Sequence, residues 1–278
     1  MKRHFFAVAL VLGLLTALVV LPRFADAQDN STDISAVAEV SDPVAVFQAA
    51  GPTTLSIQSS VDEYRAAVSV PAGRREINWD GGNPANEATN TAGNPFAGFQ
   101  ITRGALFTTP DGTGFVQAPA ATAVPPGGLA GFFGNPTYAT SFRAFSASRL
   151  FSVIGGRITD VTFFVPGGGS AATVNGFAAV FTDVDQPNGS GPAHKRGNRH
   201  ASTLIEYYGV DGELLFSNFV PASPGDGGFS FFGIVFPDSR IARVRITSGD
   251  VAPGPNDSEK EDVVMMDDFI YGEPRAIH

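Results

Sequence analysis

Phe229-Ser230-Phe231-Phe232-Gly233-Ile234-Val235-Phe236 is almost continuously apolar, and soon after it Ile241-Ala242-Arg243-Val244-Arg245-Ile246-Thr247 alternates. The first run predicts a strand that is buried on both faces or lies at the centre of a sandwich. In the second, Ala242, Val244 and Ile246 fall on one face and Arg243, Arg245 and Thr247 on the other. That pattern predicts a half-exposed strand.

The same texture extends outward. From Arg74 on, short runs rich in Phe, Val, Ile and Thr alternate with Gly, Pro, Asn and Asp clusters. They predict further strands over 75–79, 99–101, 105–108, 115–117, 149–154, 158–165, 173–184, 203–210, 214–219 and 263–271. Val210-Asp211-Gly212-Glu213 reads as an Asp-Gly hairpin turn between two of these runs. Many short strands between Gly/Pro-rich turns predict an all-β sandwich or barrel. Residues 82–91, 118–131 and 186–200 read as long loops. Before the strands, Ile57, Val61, Tyr64 and Val68 recur at helical spacing within Thr54–Val68. This predicts one short amphipathic helix, capped by Thr53 or Thr54 and covering one end of the sandwich. Residues 28–52 are polar, Ala-rich and weakly patterned, and read as a poorly ordered lead-in. The expected domain is therefore 53–274, with 275–278 as a tail.

The chain opens with Met1-Lys2-Arg3-His4, continues through an apolar run over 5–22, and reaches Ala25-Asp26-Ala27. A basic start, an apolar middle and an Ala-x-Ala finish predict a secretory signal peptide over 1–27. A secreted or periplasmic location follows, with no membrane span after signal removal. Loss of Lys2, Arg3, Arg23 and Asp26 with the leader leaves 15 basic and 26 acidic side chains, a net charge of −11. Such a balance argues against nucleic acid and anionic lipid as partners and is compatible with divalent cations. Cysteine is absent, which excludes disulfides, thiolate chemistry and lipoprotein anchoring. With 24 Phe among many Val and Ile, an apolar core can supply the stability instead.

Three segments carry a resemblance: Gly73-Arg74-Arg75-Glu76-Ile77-Asn78-Trp79-Asp80-Gly81, Gly176-Phe177-Ala178-Ala179-Val180-Phe181-Thr182-Asp183-Val184-Asp185, and Val263-Val264-Met265-Met266-Asp267-Asp268-Phe269-Ile270-Tyr271-Gly272-Glu273-Pro274. Together they resemble motifs of a group of uncharacterised secreted bacterial proteins. They are also similar to ectodomains of exported proteins with a Pro-Glu-Pro C-terminal sorting tail, a tail this sequence lacks after Tyr271. The resemblance implies an antiparallel, jelly-roll-like β-sandwich with the one N-terminal helix. It implies no established activity and no catalytic residue.

Candidate ligands are carboxylates. On a strand continuing to residue 185, Asp183 and Asp185 end an otherwise apolar face. They are solvated there, or a cation or arginine lies between them. Asp267 and Asp268 lie between apolar residues on both strand faces, so one must point into an apolar face. A lone buried carboxylate is costly, so Ca2+, Arg74, Arg75 or backbone N–H groups must satisfy it. Asn78 and Asp80 share a face by alternation and are either oxygen ligands or turn formers. Trp79, facing the other way, reads as a core anchor. The loop over 186–200 holds His194, Lys195, Arg196, Arg199 and His200, a basic island that is solvated, contacts an anionic glycan, or balances the Asp183 pair. Asp250–Asp262 is an acidic loop and a weaker cation site. Sequence signatures of serine hydrolases, zinc proteases and phosphate-binding loops are absent. The expectation is a secreted non-catalytic sandwich holding structural Ca2+ at Asp183, Asp185, Asp267, Asp268, Asn78 and Asp80. It would act as a binding or cell-surface module for a glycan or envelope component. The alternatives are a carboxylate-dependent carbohydrate-active enzyme and a purely structural envelope or matrix protein.

Overall fold

The computed structural model describes residues 43–81, 87–185, 203–256 and 261–277. In chain order the elements are β1 (Ala45–Gly51), α1 (Thr54–Val68), β2 (Arg74–Ile77), β3 (Asn90–Gly93), α2 (Gln100–Arg103), β4 (Ala105–Thr108), β5 (Gly114–Ala118), α3 (Gly128–Phe133) and α4 (Tyr138–Ser141). They continue as β6 (Leu150–Ile154), β7 (Ile158–Phe163), β8 (Ala172–Thr173), β9 (Gly176–Thr182), β10 (Leu204–Tyr208), β11 (Leu214–Phe219), β12 (Phe229–Val235), β13 (Arg243–Thr247), β14 (Met265–Gly272) and β15 (Arg275–Ala276). The larger sheet runs β1-β12-β9-β14-β6-β5-β3, with β2 also paired to β14; the smaller runs β11-β10-β13-β7-β4. Every strand pair of both sheets is antiparallel.

The layering follows from the two patterns that open the chain's reading. Between the sheets lies the main core, with Phe177, Phe181, Phe232, Ile234 and Phe269 from the larger sheet facing Phe107, Val161, Tyr207, Val244 and Ile246 from the smaller. The larger sheet is covered on its outer side as well. There Ala178, Val180, Phe229, Phe231 and Ile270 pack under Ile57, Val61, Tyr64 and Val68 of α1. Further along the same sheet, Val116, Leu150, Val263 and Met265 pack with Leu129, Tyr138 and Phe142. Coverage on both faces is why β12 reads as one apolar run. A Cβ at Gly233 would lie 2.3 Å from the Ala178 Cβ and 3.0 Å from the Tyr64 ring, so glycine there lets α1 settle closely on the sheet. By contrast β13 buries Val244 and Ile246, while Arg243 and Arg245 turn outward to Asp160 at 2.7–3.0 Å.

Helix α1 occupies the predicted span. Thr53 is extended at its start, and the Ser56 hydroxyl accepts the Thr53 N–H at 3.4 Å. The helix covers a sheet face, rather than an end of the sandwich. Several expectations are corrected. Residues 45–51 belong to β1 on the sheet edge, not to a lead-in, because their backbone pairs with β12 despite a neutral composition. The strand expected over 99–101 is replaced by α2, closed by Gly104 at φ 74°. The loops over 82–91 and 118–131 give way to β3 and α3 at their ends. The long strand over 173–184 is two, β8 and β9. The signal peptide and the basic loop over 186–200 lie outside the described residues. Among those described, no helix is long and apolar enough to cross a membrane.

Candidate functional site

The six predicted ligands fall into three settings. The first is made by a bulge in β14. Met266 pairs with Phe181 and Phe269 with Ala179, so three steps on β14 match two on β9. The extra residue reverses the alternation. Val264 and Met266 before the bulge, and Phe269 and Tyr271 after it, all face the inter-sheet core. Simple alternation put Phe269 with Met265; the bulge is why that reading fails. Both Asp267 and Asp268 are buried and are satisfied by the protein itself. Asp267 accepts the backbone N–H groups of Phe145 at 2.6 Å, Ser146 at 3.4 Å and Asp268 at 2.8 Å. Asp268 accepts the Ser146 hydroxyl and pairs with Arg65 of α1 at 3.3 Å. Neither Arg74 nor Arg75 does this; Arg74 bonds to Glu76 and Arg75 to Glu273. Desolvation raises the pKa of both carboxyls, with Asp268 adding to the rise at Asp267. Backbone N–H groups at Asp267, and Ser146 with Arg65 at Asp268, pull the other way.

The second setting is Asn78–Asp80. Trp79 has φ 64°, a left-handed conformation uncommon for a bulky residue. It ends β2 and breaks the alternation, so Asn78 is exposed while Asp80 is buried. These two residues therefore do not share a face. The Trp79 indole is buried, stacks on Phe151 at 3.7 Å between centroids, and donates to the Asp267 carbonyl at 3.3 Å. Asp80 accepts the N–H groups of Ser148 at 3.1 Å and Arg149 at 3.0 Å through one oxygen. Asp80 and Asp267 thus pin successive N–H groups of the same segment, 145–149, where it leads into β6. Their carboxylates serve a part-buried loop whose donors would otherwise be unpaired.

The third setting is an open cleft of about 600 Å³ where β9 ends. Asp183 has φ 71°, so the strand does not continue through it and the shared strand face for Asp183 and Asp185 is lost. They meet other acids instead: Asp226, Glu261 and Asp262 line the same cleft. Asp183 Oδ1 accepts the Gly227 N–H at 3.3 Å, and Asp185 Oδ1 accepts that of Gly225 at 2.7 Å. Asp262 accepts the Asp185 N–H at 3.3 Å. The Asp183 carboxyl is buried, and its pKa is pushed up to about 8 by desolvation and then by Asp185, Asp262 and Asp226. Among the described residues no lysine, arginine or histidine lines this cleft. Among the described residues no three carboxylate or imidazole groups converge closely enough to hold a metal ion. Sequence reading missed Asp226 and Arg65; Asp262 it placed only in an acidic loop. Comparison of this chain with protein-family models, curated proteins and solved structures gives no match.

Proposed function

We propose that this chain is a non-catalytic β-sandwich module that works outside the cytoplasm and binds Ca2+ in the cleft around Asp183. One observation carries this reading: Asp183, Asp185, Asp226 and Asp262 share one open cleft, and their repulsion together with burial raises the Asp183 pKa to about 8. Acids in that state hold either a proton or a cation. Ca2+ takes hard carboxylate oxygens of this kind, and Asp183, Asp185 and Asp262 would be its ligands, drawing closer together on the ion than they stand here. Asp267 and Asp268 leave the proposed ligand set, since peptide N–H groups, Ser146 and Arg65 already occupy them. Asp80 lies outside the acidic cleft and is bound through Oδ1 to the N–H groups of Ser148 and Arg149, with Oδ2 buried and unpaired. The basic start and Ala-x-Ala pattern over 1–27 support the location, where Ca2+ is plentiful. The enzyme reading needs a free carboxylate pair. Glu76 and Asp268 are not one, since both accept from the same Arg65 Nη2, at 3.0 and 3.3 Å; the acids around Asp183 are the pair that reading would have to use.

The test is thermal unfolding of the mature protein with EDTA and with millimolar Ca2+. A ligand that binds only the folded state raises the melting temperature. The expected result is a rise of several degrees that Asp183→Asn abolishes; equal melting in EDTA and Ca2+ would overturn the proposal.

A further inference from the structure

On this acidic chain, with 18 basic and 27 acidic side chains, four arginines converge on one crevice of about 410 Å³ that shares no residue with the acidic cleft. They are Arg65 from α1, Arg74 and Arg75 from β2, and Arg103 at the end of α2; Asn78 and Ser146 complete the polar lining. Carboxylates hold three of them in place. Arg75 is gripped by both oxygens of Glu273 at 2.6 and 2.7 Å. Arg65 is held by Glu76 at 3.0 Å and Asp268 at 3.3 Å. Arg74 reaches Glu76 and, at 3.1 Å, the Ser69 hydroxyl. Glu76 and Asp268 line the crevice, and Asp62 at 3.3 Å from Arg65 and Glu273 at Arg75 add to the acids around it, so the guanidinium left without an acid is Arg103. The Arg103 side chain is exposed and has no hydrogen bond or ion pair among the described residues, while its backbone carbonyl is fixed by the Tyr271 hydroxyl at 3.0 Å. Arg65 Nε is buried without an acceptor.

Arg65, Arg74 and Arg75 are fixed by their acids and shape the crevice, while the Arg103 fork of N–H donors, bonded to no acid among the described residues, fits the two oxygens of a carboxylate. A crevice of this size accepts a single sugar ring, and the Asn78 amide and Ser146 hydroxyl suit its hydroxyl groups. We infer that this crevice binds a small carboxylate-bearing ligand of the uronic-acid class, with Arg103 as the principal anion contact. The inference rests on the binding-module reading and names its ligand class; it does not depend on Ca2+.

Titration calorimetry of the mature protein with glucuronate and with glucose tests it. Glucuronate is expected to bind, glucose to bind at least tenfold more weakly, and Arg103→Gln to weaken glucuronate at least tenfold at unchanged melting temperature. Arg103→Lys, which keeps the charge and loses the fork, should fall between the two. Glucuronate no tighter than glucose, or binding unaltered in Arg103→Gln, would overturn the inference. The Ca2+ melting shift, measured on the same samples, reports separately on the acidic cleft.

Discussion

Asp267-Asp268 and Asp183-Val184-Asp185 both follow apolar strand residues on neighbouring strands of one sheet, and their surroundings are opposite in kind. Around Asp267 and Asp268 the fold supplies donors: three peptide N–H groups, the Ser146 hydroxyl and the Arg65 guanidinium. Around Asp183 it supplies mainly further acids, with one peptide N–H from Gly227 at 3.3 Å. Burial raises the pKa in both places, so burial alone does not separate a structural carboxylate from a ligand-binding one. What separates them is whether the lone pairs are already occupied. By that measure β14 carries a structural clamp, and the proposed Ca2+ site lies at the end of β9.

The largest effect is expected where the donors are. Asp267→Ala would leave the part-buried Phe145 and Ser146 N–H groups without an acceptor. An unpaired buried donor costs about 1–3 kcal/mol, so a loss of about 3 kcal/mol in urea unfolding is expected. A loss below about 1 kcal/mol would mean that the segment over 145–149 does not depend on the clamp. Arg65→Met comes next. It keeps much of the aliphatic stem and strands a buried Asp268, so a loss of about 2 kcal/mol is expected. Because Asp268 can then escape by taking a proton, this loss should shrink at low pH. A pH-independent loss would assign the effect to packing instead.

How far these two environments could be read in advance depends on what each one rests on. The sandwich was legible because β12 and β13 differ in sequence as they differ in burial, and α1 was legible because Ile57, Val61, Tyr64 and Val68 recur at its period. The clamp was half legible. The stretch Met265-Met266-Asp267-Asp268-Phe269 shows that some carboxylate must be buried, and peptide N–H groups were among the expected partners. It does not show the bulge, which depends on pairing with β9, nor Arg65, which approaches from 203 residues away along the chain. The left-handed turn at Trp79 likewise has no local signal, since it is imposed by the indole's place in the core. Gathering Asp183, Asp226 and Asp262 in one cleft requires three separate loops to meet, and no spacing in the sequence encodes that.

A pH series compares the two sites through their protons. With folded pKa values above the ordinary carboxylate range, these acids bind protons more tightly in the folded state than in the unfolded one. For Asp183 the favourable contribution is complete below about pH 4, declines as pH rises, and is gone above its folded pKa of about 8. Stability in EDTA should therefore fall across that window. Ca2+ should flatten the fall, because the ion replaces the proton, and binding near pH 6.5 should release about one proton. Calorimetry in buffers of different ionisation enthalpy counts that proton. A fall equally steep with and without Ca2+ would assign it to Asp267 and Asp268, which the ion does not reach.

The smallest effect at neutral pH, and the sharpest separation, belongs to Asp183→Asn. Below pH 7 Asp183 in EDTA mostly carries its own proton, so a neutral amide of the same shape changes stability by only about 0.5 kcal/mol or less. Above pH 8 the parent carboxylate is ionised beside Asp185, Asp226 and Asp262 and the amide is not. The variant should then be more stable than the parent by about 1–2 kcal/mol while no longer responding to Ca2+. Removing a native side chain rarely stabilises a protein, and it does so where that side chain is kept for a ligand at a cost to the fold. A variant less stable than the parent at pH 9 would place Asp183 beside Asp267 as a structural acid, and the difference between the two sites would disappear.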